Sequence, residues 1–304
     1  MKATTHTEVY RGFTGELRRN PLRPLILARA AVRLALKRKL PALLLYTPIA
    51  IACVILSFKV YFGFALASGE ALGELEGTTQ GSILGSRLAQ ILGTTVENIF
   101  QFLQSASRFV LILMAWYGAG LINEDKRLGA NLLYFSRPIT RAQYLAGKFL
   151  AASWFGVLAL IAPCLIICSV AIFSSPDWSF FKQEWETIPQ VLLFGTLWVS
   201  TMAIVVLTIS SITERRTHAL IGSVGLVYGS SIISGVLNFM LRDGRATTLD
   251  LFQNMERVGE WIFGISLVSD RAVSAPTSLA ALAVLWTICL FILTERVRKL
   301  EVVA

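Results

Sequence analysis

The sequence predicts an all-α membrane protein with six transmembrane helices and both termini in the cytoplasm. Three observations carry that expectation. The 304 residues are 55% hydrophobic and 15% charged, with a mean hydropathy of +0.63, whereas soluble domains carry roughly 25% charged residues. Six apolar runs, near 41–64, 101–122, 149–173, 188–212, 217–240 and 276–294, come close to the roughly 20 residues a helix needs to cross a hydrocarbon core. The basic residues gather in one alternate set of connecting segments.

Orientation follows from that last feature. The first forty residues, the 123–148 segment, Arg215 with Arg216, and the tail Arg296, Arg298 and Lys299 hold twenty basic residues against seven acidic ones. The opposite segments, near 65–100, 174–187 and 241–275, hold six basic and twelve acidic residues. Lys and Arg are retained on the cytoplasmic side, which puts the first set there. Three parts result: a cytoplasmic N-terminal segment at 1–40, a six-helix transmembrane domain at 41–295, and a cytoplasmic tail at 296–304. The net charge of +9 is then a topology signal with some attraction to anionic lipid heads, and it does not point to nucleic acid. The first forty residues are polar and basic with no short apolar core, so the first span is expected to act as its own insertion signal.

Residues 22–39 read as an amphipathic helix on the cytoplasmic face. Leu25, Ala28, Val32, Ala35 and Leu36 recur at helical spacing beside a basic stripe of Arg29, Arg33 and Lys37. Pro21 and Pro24 stiffen its entry, and Pro41 marks the turn into the first span. It serves either as a positive-inside anchor or as an interface helix touching a peripheral partner. Lys59, near the outer end of the first span, can snorkel to the headgroups. In the second run, Glu97, Gln101, Gln104 and Arg108 are spaced four, three and four apart, so they share one stripe. Arg108 is costly in lipid and is a candidate for a substrate path with Gln101 and Gln104; alternatively it is structural, paired with Glu97 or a lipid phosphate.

The 123–148 segment is longer than the two to eight residues, roughly, that join most helices. The spacing predicts a short helix over 124–134, capped by Asn123 and with Glu124 and Asp125 at its positive end. Leu128, Leu132 and Phe135 offer an apolar face. Pro138 ends the helix, and Thr140 caps the next one, which runs into the third span. Thr213–Arg216 alone separates the fourth and fifth runs, predicting a tight helical hairpin. In the fifth, Gly225/Gly229, Ser230/Ser234 and Ser231/Gly235 are each four apart. Such a stripe lets helix backbones approach closely, within the subunit or against a second copy. Residues 249–265 place Leu251, Met255, Val258 and Ile262 on one face, which predicts a helix lying at the outer interface with Trp261 at headgroup depth.

No catalytic apparatus is legible. Gly147-Lys148 is followed by Phe149 and lacks the upstream Gly of a phosphate-binding loop. His6 and His218 sit in no ligand-like cluster, and no Ser or Thr of the spans has an obvious base partner. Cys53, Cys164, Cys168 and Cys289 all fall inside apolar runs, where small buried residues are expected and neither a metal site nor a disulfide framework is indicated.

In order along the central segment stand Glu124, Gly129, Leu132/Leu133, Pro138-Ile139-Thr140-Arg141, Tyr144 and Gly147-Lys148. This succession resembles the coupling segment of permease subunits in type-2 ATP-binding-cassette exporters. The six spans, the amphipathic N-terminal helix and the outer amphipathic segment agree with that resemblance. It implies that Glu124, Asp125, Leu128, Gly129, Leu132, Phe135, Pro138 and Arg141 form a cytoplasmic coupling helix and its flank, seated in a groove on an ATPase. It further implies two copies of that ATPase, which bind ATP and Mg, a second permease copy or a homologous permease, and residence in a bacterial cytoplasmic (inner) membrane. This chain would itself hold no cofactor and would not be an enzyme. A scaffold or mechanotransmitter subunit of an ATPase complex that moves no solute is the alternative.

Overall fold

A computed structural model describes residues 22–36, 39–67, 94–130, 139–175, 178–242, 244–265 and 273–302. Eleven α-helices and no strand occur among the described residues. They are α1 (Arg23–Leu36), α2 (Lys39–Ala67), α3 (Thr95–Gly118), α4 (Gly120–Arg127), α5 (Arg141–Gly156), α6 (Ala162–Ser174), α7 (Ser179–Gln183), α8 (Thr187–Ile212), α9 (Arg216–Leu241), α10 (Leu251–Phe263) and α11 (Ala275–Val302). Six units are long and apolar enough to cross a membrane: 46–65, 95–127, 141–174, 187–212, 216–241 and 275–298. The chain is a multi-pass membrane protein.

Spans two, three and four form the centre. Between 56% and 72% of their most apolar stretches is buried, against 17%, 17% and 22% for spans one, five and six. The outer three are therefore largely open, to lipid or to another subunit. Tyr117 and Phe155 stack at 4.1 Å between spans two and three. Phe100, Phe194 and Phe263 form a cluster with centroids 5.1–6.2 Å apart.

Local chemistry accounts for the element boundaries. Thr94 accepts from the Glu97 N–H and Glu97 accepts from the Thr94 N–H, a reciprocal cap that starts α3. Thr140 and Gln143 repeat the arrangement at α5, as the sequence predicts for Thr140. Span three widens into a π turn at Val157–Ile161 just ahead of Pro163. A proline has no N–H to give, and its ring crowds the carbonyl four residues back; the wider turn relieves both. The hairpin between spans four and five occupies Thr213–Arg215, as expected.

Two expectations are adjusted, the first only in the rotation of α1. The face of α1 buried on the protein is Leu27 and Ala28, with Ala31, Val32 and Ala35 partly covered, while Leu25 and Leu36 are 58% and 45% exposed, and Leu25, Ala28 and Val32 still line one groove as their spacing predicts. The cause is close packing on α5. Gly147 lies directly beneath Leu27 and the Pro24 carbonyl, where a Cβ would meet both within 3.0 Å, and that contact sets the rotation of α1.

The second correction concerns α10, which does not lie across the end of the bundle. It runs antiparallel beside α3, with Phe252 near Arg108 and Gly259 against Phe100. The chain leaves α9, turns at Arg242 and Gly244 with positive φ, and re-enters through a 3-10 turn at Arg245–Leu249. Irregular backbone at membrane depth must be satisfied by protein groups. Ser234 donates to the Ala246 carbonyl, Asn254 to the Thr248 carbonyl, and Ser231 to Asp250. Asp250 then caps α10 by accepting from the N–H groups of Phe252 and Gln253. The serines of the fifth span thus serve this turn within the subunit. The glycines of the same stripe, Gly225, Gly229 and Gly235, face open space.

Gly259 is required by proximity, since a Cβ there would stand 2.5 Å from Phe100 Cε2 and 2.8 Å from Phe194 Cε2. Gly259→Val is expected to cost about 1–3 kcal/mol through overpacking, measured as a lower unfolding midpoint of the purified protein in detergent.

Candidate functional site

The ends of four spans and α1 converge at one end of the bundle. Leu27 of α1, Tyr144 of α5 and Val297 of α11 pack together there, and Lys126 of α4 donates to the Ser211 carbonyl at the end of α8. The first and last described helices therefore share this end with residues 122–130 and 139–148 and the α8–α9 hairpin, as the charge pattern predicts.

The local build begins with the second span, which does not stop where its apolar run stops. α3 passes through Ala119, in right-handed helical geometry, directly into α4. Ser210 of span four supports the junction: its hydroxyl donates to the Ala119 carbonyl at 2.7 Å and accepts from the N–H groups of Ile122 and Asn123. Asn123 is accordingly buried within a helix and is not a cap, correcting the expectation. The expected single helix over 124–134 is corrected too. α4 ends at Arg127, and Gly129 takes a positive φ of 66°, a conformation that glycine adopts without strain and that terminates helices. Glu124 and Asp125 consequently lie near the C-terminal end of α4, where the helix dipole does not favour them. Cations supplied by other spans do.

Asp125 Oδ2 accepts from the Tyr144 hydroxyl at 2.8 Å and from Lys148 Nζ at 2.6 Å. The Lys148 side chain is 4% exposed and that of Asp125 15%, so the pair is nearly dry and locks span two to span three. The ammonium also lies 5.5 Å from the Tyr144 ring centroid, a cation–π distance. Glu124 pairs with Arg216 at 3.6 Å. The Arg216 guanidinium donates to the Trp116 carbonyl at 2.8 Å and lies 5.7 Å from the Trp116 ring, tying the start of span five to the end of span two. Above these charges, α1 closes a cleft of about 420 Å³ with an alanine- and leucine-lined wall and a floor of Glu124, Asp125, Lys148 and Arg216.

The described residues beyond the junction point outward. Leu128 is 72% exposed, no described residue lies within 4 Å of where a Gly129 Cβ would stand, and Arg141 is exposed in the first turn of α5. Leu132, Phe135 and Pro138 lie outside the described residues. Of the residues the resemblance assigns to coupling, the structure thus turns Asp125 inward, leaves Glu124 at the rim, and sets Leu128, Gly129 and Arg141 outward. Tyr144, Lys148 and Arg216 complete the constellation without having been expected in it. The signal for the first two was present, in the Tyr-x-x-Gly-Lys succession. Arg216 reads from sequence only as one more topology charge.

The polar stripe of α3 sits apart from this junction. Glu97 is taken up by the helix cap, so Arg108 pairs elsewhere, with Glu256 of α10 at 3.7 Å and over the Phe252 ring at 6.0 Å. The Arg108 side chain remains 60% exposed. Gln101 is exposed beside it and Gln104 partly covered. Tyr228 of α9 donates to the Arg108 carbonyl, so this stripe adjoins the open glycine face of span five. Among the described residues of this stripe, no nucleophile is paired with a base. The geometry can transmit force at one end and present a polar, open face within the span.

Comparison with known proteins agrees with this outline. A family model described as ABC-2 family transporter protein matches residues 38–296. No curated protein matches the chain.

Proposed function

Because the chain belongs to the ABC-2 family of transporter proteins, and is the membrane permease subunit of an ABC transporter, we propose that it serves export and is driven by a separate ATPase gripping the tip at Leu128–Gly129. The supporting observation is the junction beneath that tip. Asp125 bound to Tyr144 and Lys148, and Glu124 bound to Arg216, connect the tip to spans three and five as well as to its own span. A push on α4 by a nucleotide-driven partner is therefore shared among three helices. Glu124, Asp125, Leu128, Gly129, Leu132, Phe135, Pro138 and Arg141 are the coupling set in this reading. ATP and Mg are bound by the partner, present in two copies, at the cytoplasmic face of a bacterial inner membrane.

A second permease, identical or homologous, covers the open faces of spans two and five, and substrate moves along the stripe of Gln101, Gln104 and Arg108. The test is reconstitution of the chain with a candidate phosphate-loop ATPase that copurifies with it. ATP-dependent movement of a solute or lipid across proteoliposomes supports export. Complex formation with no movement of any candidate would assign the chain to a mechanical role. For the path, Arg108→Gln is expected to reduce substrate-stimulated ATP hydrolysis while basal hydrolysis persists; unchanged stimulation would make Arg108 a structural partner of Glu256 only.

A further inference from the structure

The N-terminal helix leaves a second feature unused by the junction. With Leu27 directed onto Gly147, the face of α1 carrying Leu25, Arg29, Val32 and Arg33 borders a groove of about 510 Å³, whose opposite wall is Leu150 and Trp154 of α5. Its lining is apolar except for two guanidinium groups at the rim. Arg29 and Arg33 are both exposed, and neither forms an ion pair among the described residues. Their neighbours at this end differ: Lys148 is held by Asp125, Lys126 by the Ser211 carbonyl and Arg216 by Glu124. Leu150 and Trp154 stand where the apolar run of span three begins, which is headgroup depth for a Trp. A basic rim over an apolar trough at that depth complements a molecule with an anionic head and a hydrocarbon tail.

We propose that this groove is a binding site for an anionic phospholipid of the cytoplasmic leaflet. The phosphate is held by Arg29 and Arg33, whose forked donors suit phosphate oxygens, and an acyl chain lies along Leu150 and Trp154. The lipid then clamps α1 to span three from outside as Gly147 seats it from inside. The inference depends on the cytoplasmic placement of α1 and not on what the protein transports.

The test is native mass spectrometry of the full-length chain released from vesicles of phosphatidylcholine alone or mixed with phosphatidylglycerol. Wild type is expected to retain phosphatidylglycerol over phosphatidylcholine. The double variant Arg29→Gln/Arg33→Gln should retain less of the anionic lipid by roughly thirtyfold, the loss expected for two basic residues near an anionic surface. Arg298→Gln, an exposed basic residue at the same end paired with Glu295, should change nothing. Brominated phosphatidylglycerol should quench wild-type fluorescence more than that of Trp154→Phe. Equal retention of the two lipids, undiminished retention in the double variant, an equal fall in Arg298→Gln, or quenching unaffected by Trp154→Phe would each overturn the site.

Discussion

Replacing Lys148 with Met is expected to destabilise the folded chain by about 3–5 kcal/mol, because it strips the counter-charge from a carboxylate the fold keeps nearly dry. Asp125 is 15% exposed on its side chain and receives Lys148 Nζ at 2.6 Å. The unfolding midpoint of the purified protein in detergent measures the effect. The double variant Asp125→Asn/Lys148→Met should recover a substantial part of the loss, since removing both charges costs far less than removing one, and an Asn oxygen can still accept from Tyr144. A double-mutant cycle with no interaction energy would show that the pair does not act as a unit. Any defect in ATP-driven activity of the double variant would then report on transmission through spans two and three rather than on folding.

Reversal of charge at Glu124 is expected to act on coupling more than on stability. The Glu124–Arg216 pair is partly solvated, with side chains 32% and 24% exposed, so its strength is screened and its loss is tolerable to the fold. Its value lies in position, between the tip and the first turn of span five. Glu124→Arg should lower ATP-driven transport on the order of tenfold, as about 1.4 kcal/mol of misplaced charge would do, with membrane insertion and ATPase copurification retained. The swap Glu124→Arg/Arg216→Glu should restore part of the activity. A negative charge at Leu132 is the companion: Leu132→Asp should instead weaken copurification with the motor. Normal transport in both Glu124→Arg and Leu132→Asp would remove the tip from the coupling role.

Much of the architecture is legible along the chain. Hydrophobic length marks the six spans because each helix must satisfy its own backbone in lipid. The caps at Thr94 and Thr140 are local, between residues three apart, and Thr140 is recognisable from its neighbours alone. Helical spacing likewise picks out α10, whose Leu251, Met255 and Val258 are all buried. The sequence does not show where that face is placed. A helix with one apolar face fits a membrane surface or a neighbouring helix equally well, and the choice turned on Gly259, which admits Phe100 and Phe194, and on Ser231 and Ser234 of the preceding span, which bond to Asp250 and the Ala246 carbonyl.

The same division runs through the candidate site. Composition, span length and the gathering of twenty basic residues in one alternate set of segments pointed to a membrane protein of six spans with a charged segment between spans two and three, because those properties depend only on apolar length and on where the cations fall along the chain. Tertiary structure alone decided that Asp125 faces Lys148 and Tyr144, that Glu124 faces Arg216 a hundred residues' reach from Trp116, and that α1 is rotated onto Gly147. A charge taken out of water is stabilised by whichever opposite charge packing brings within a few ångströms, and in a helical bundle that partner comes from another span, at no spacing a single helix could display.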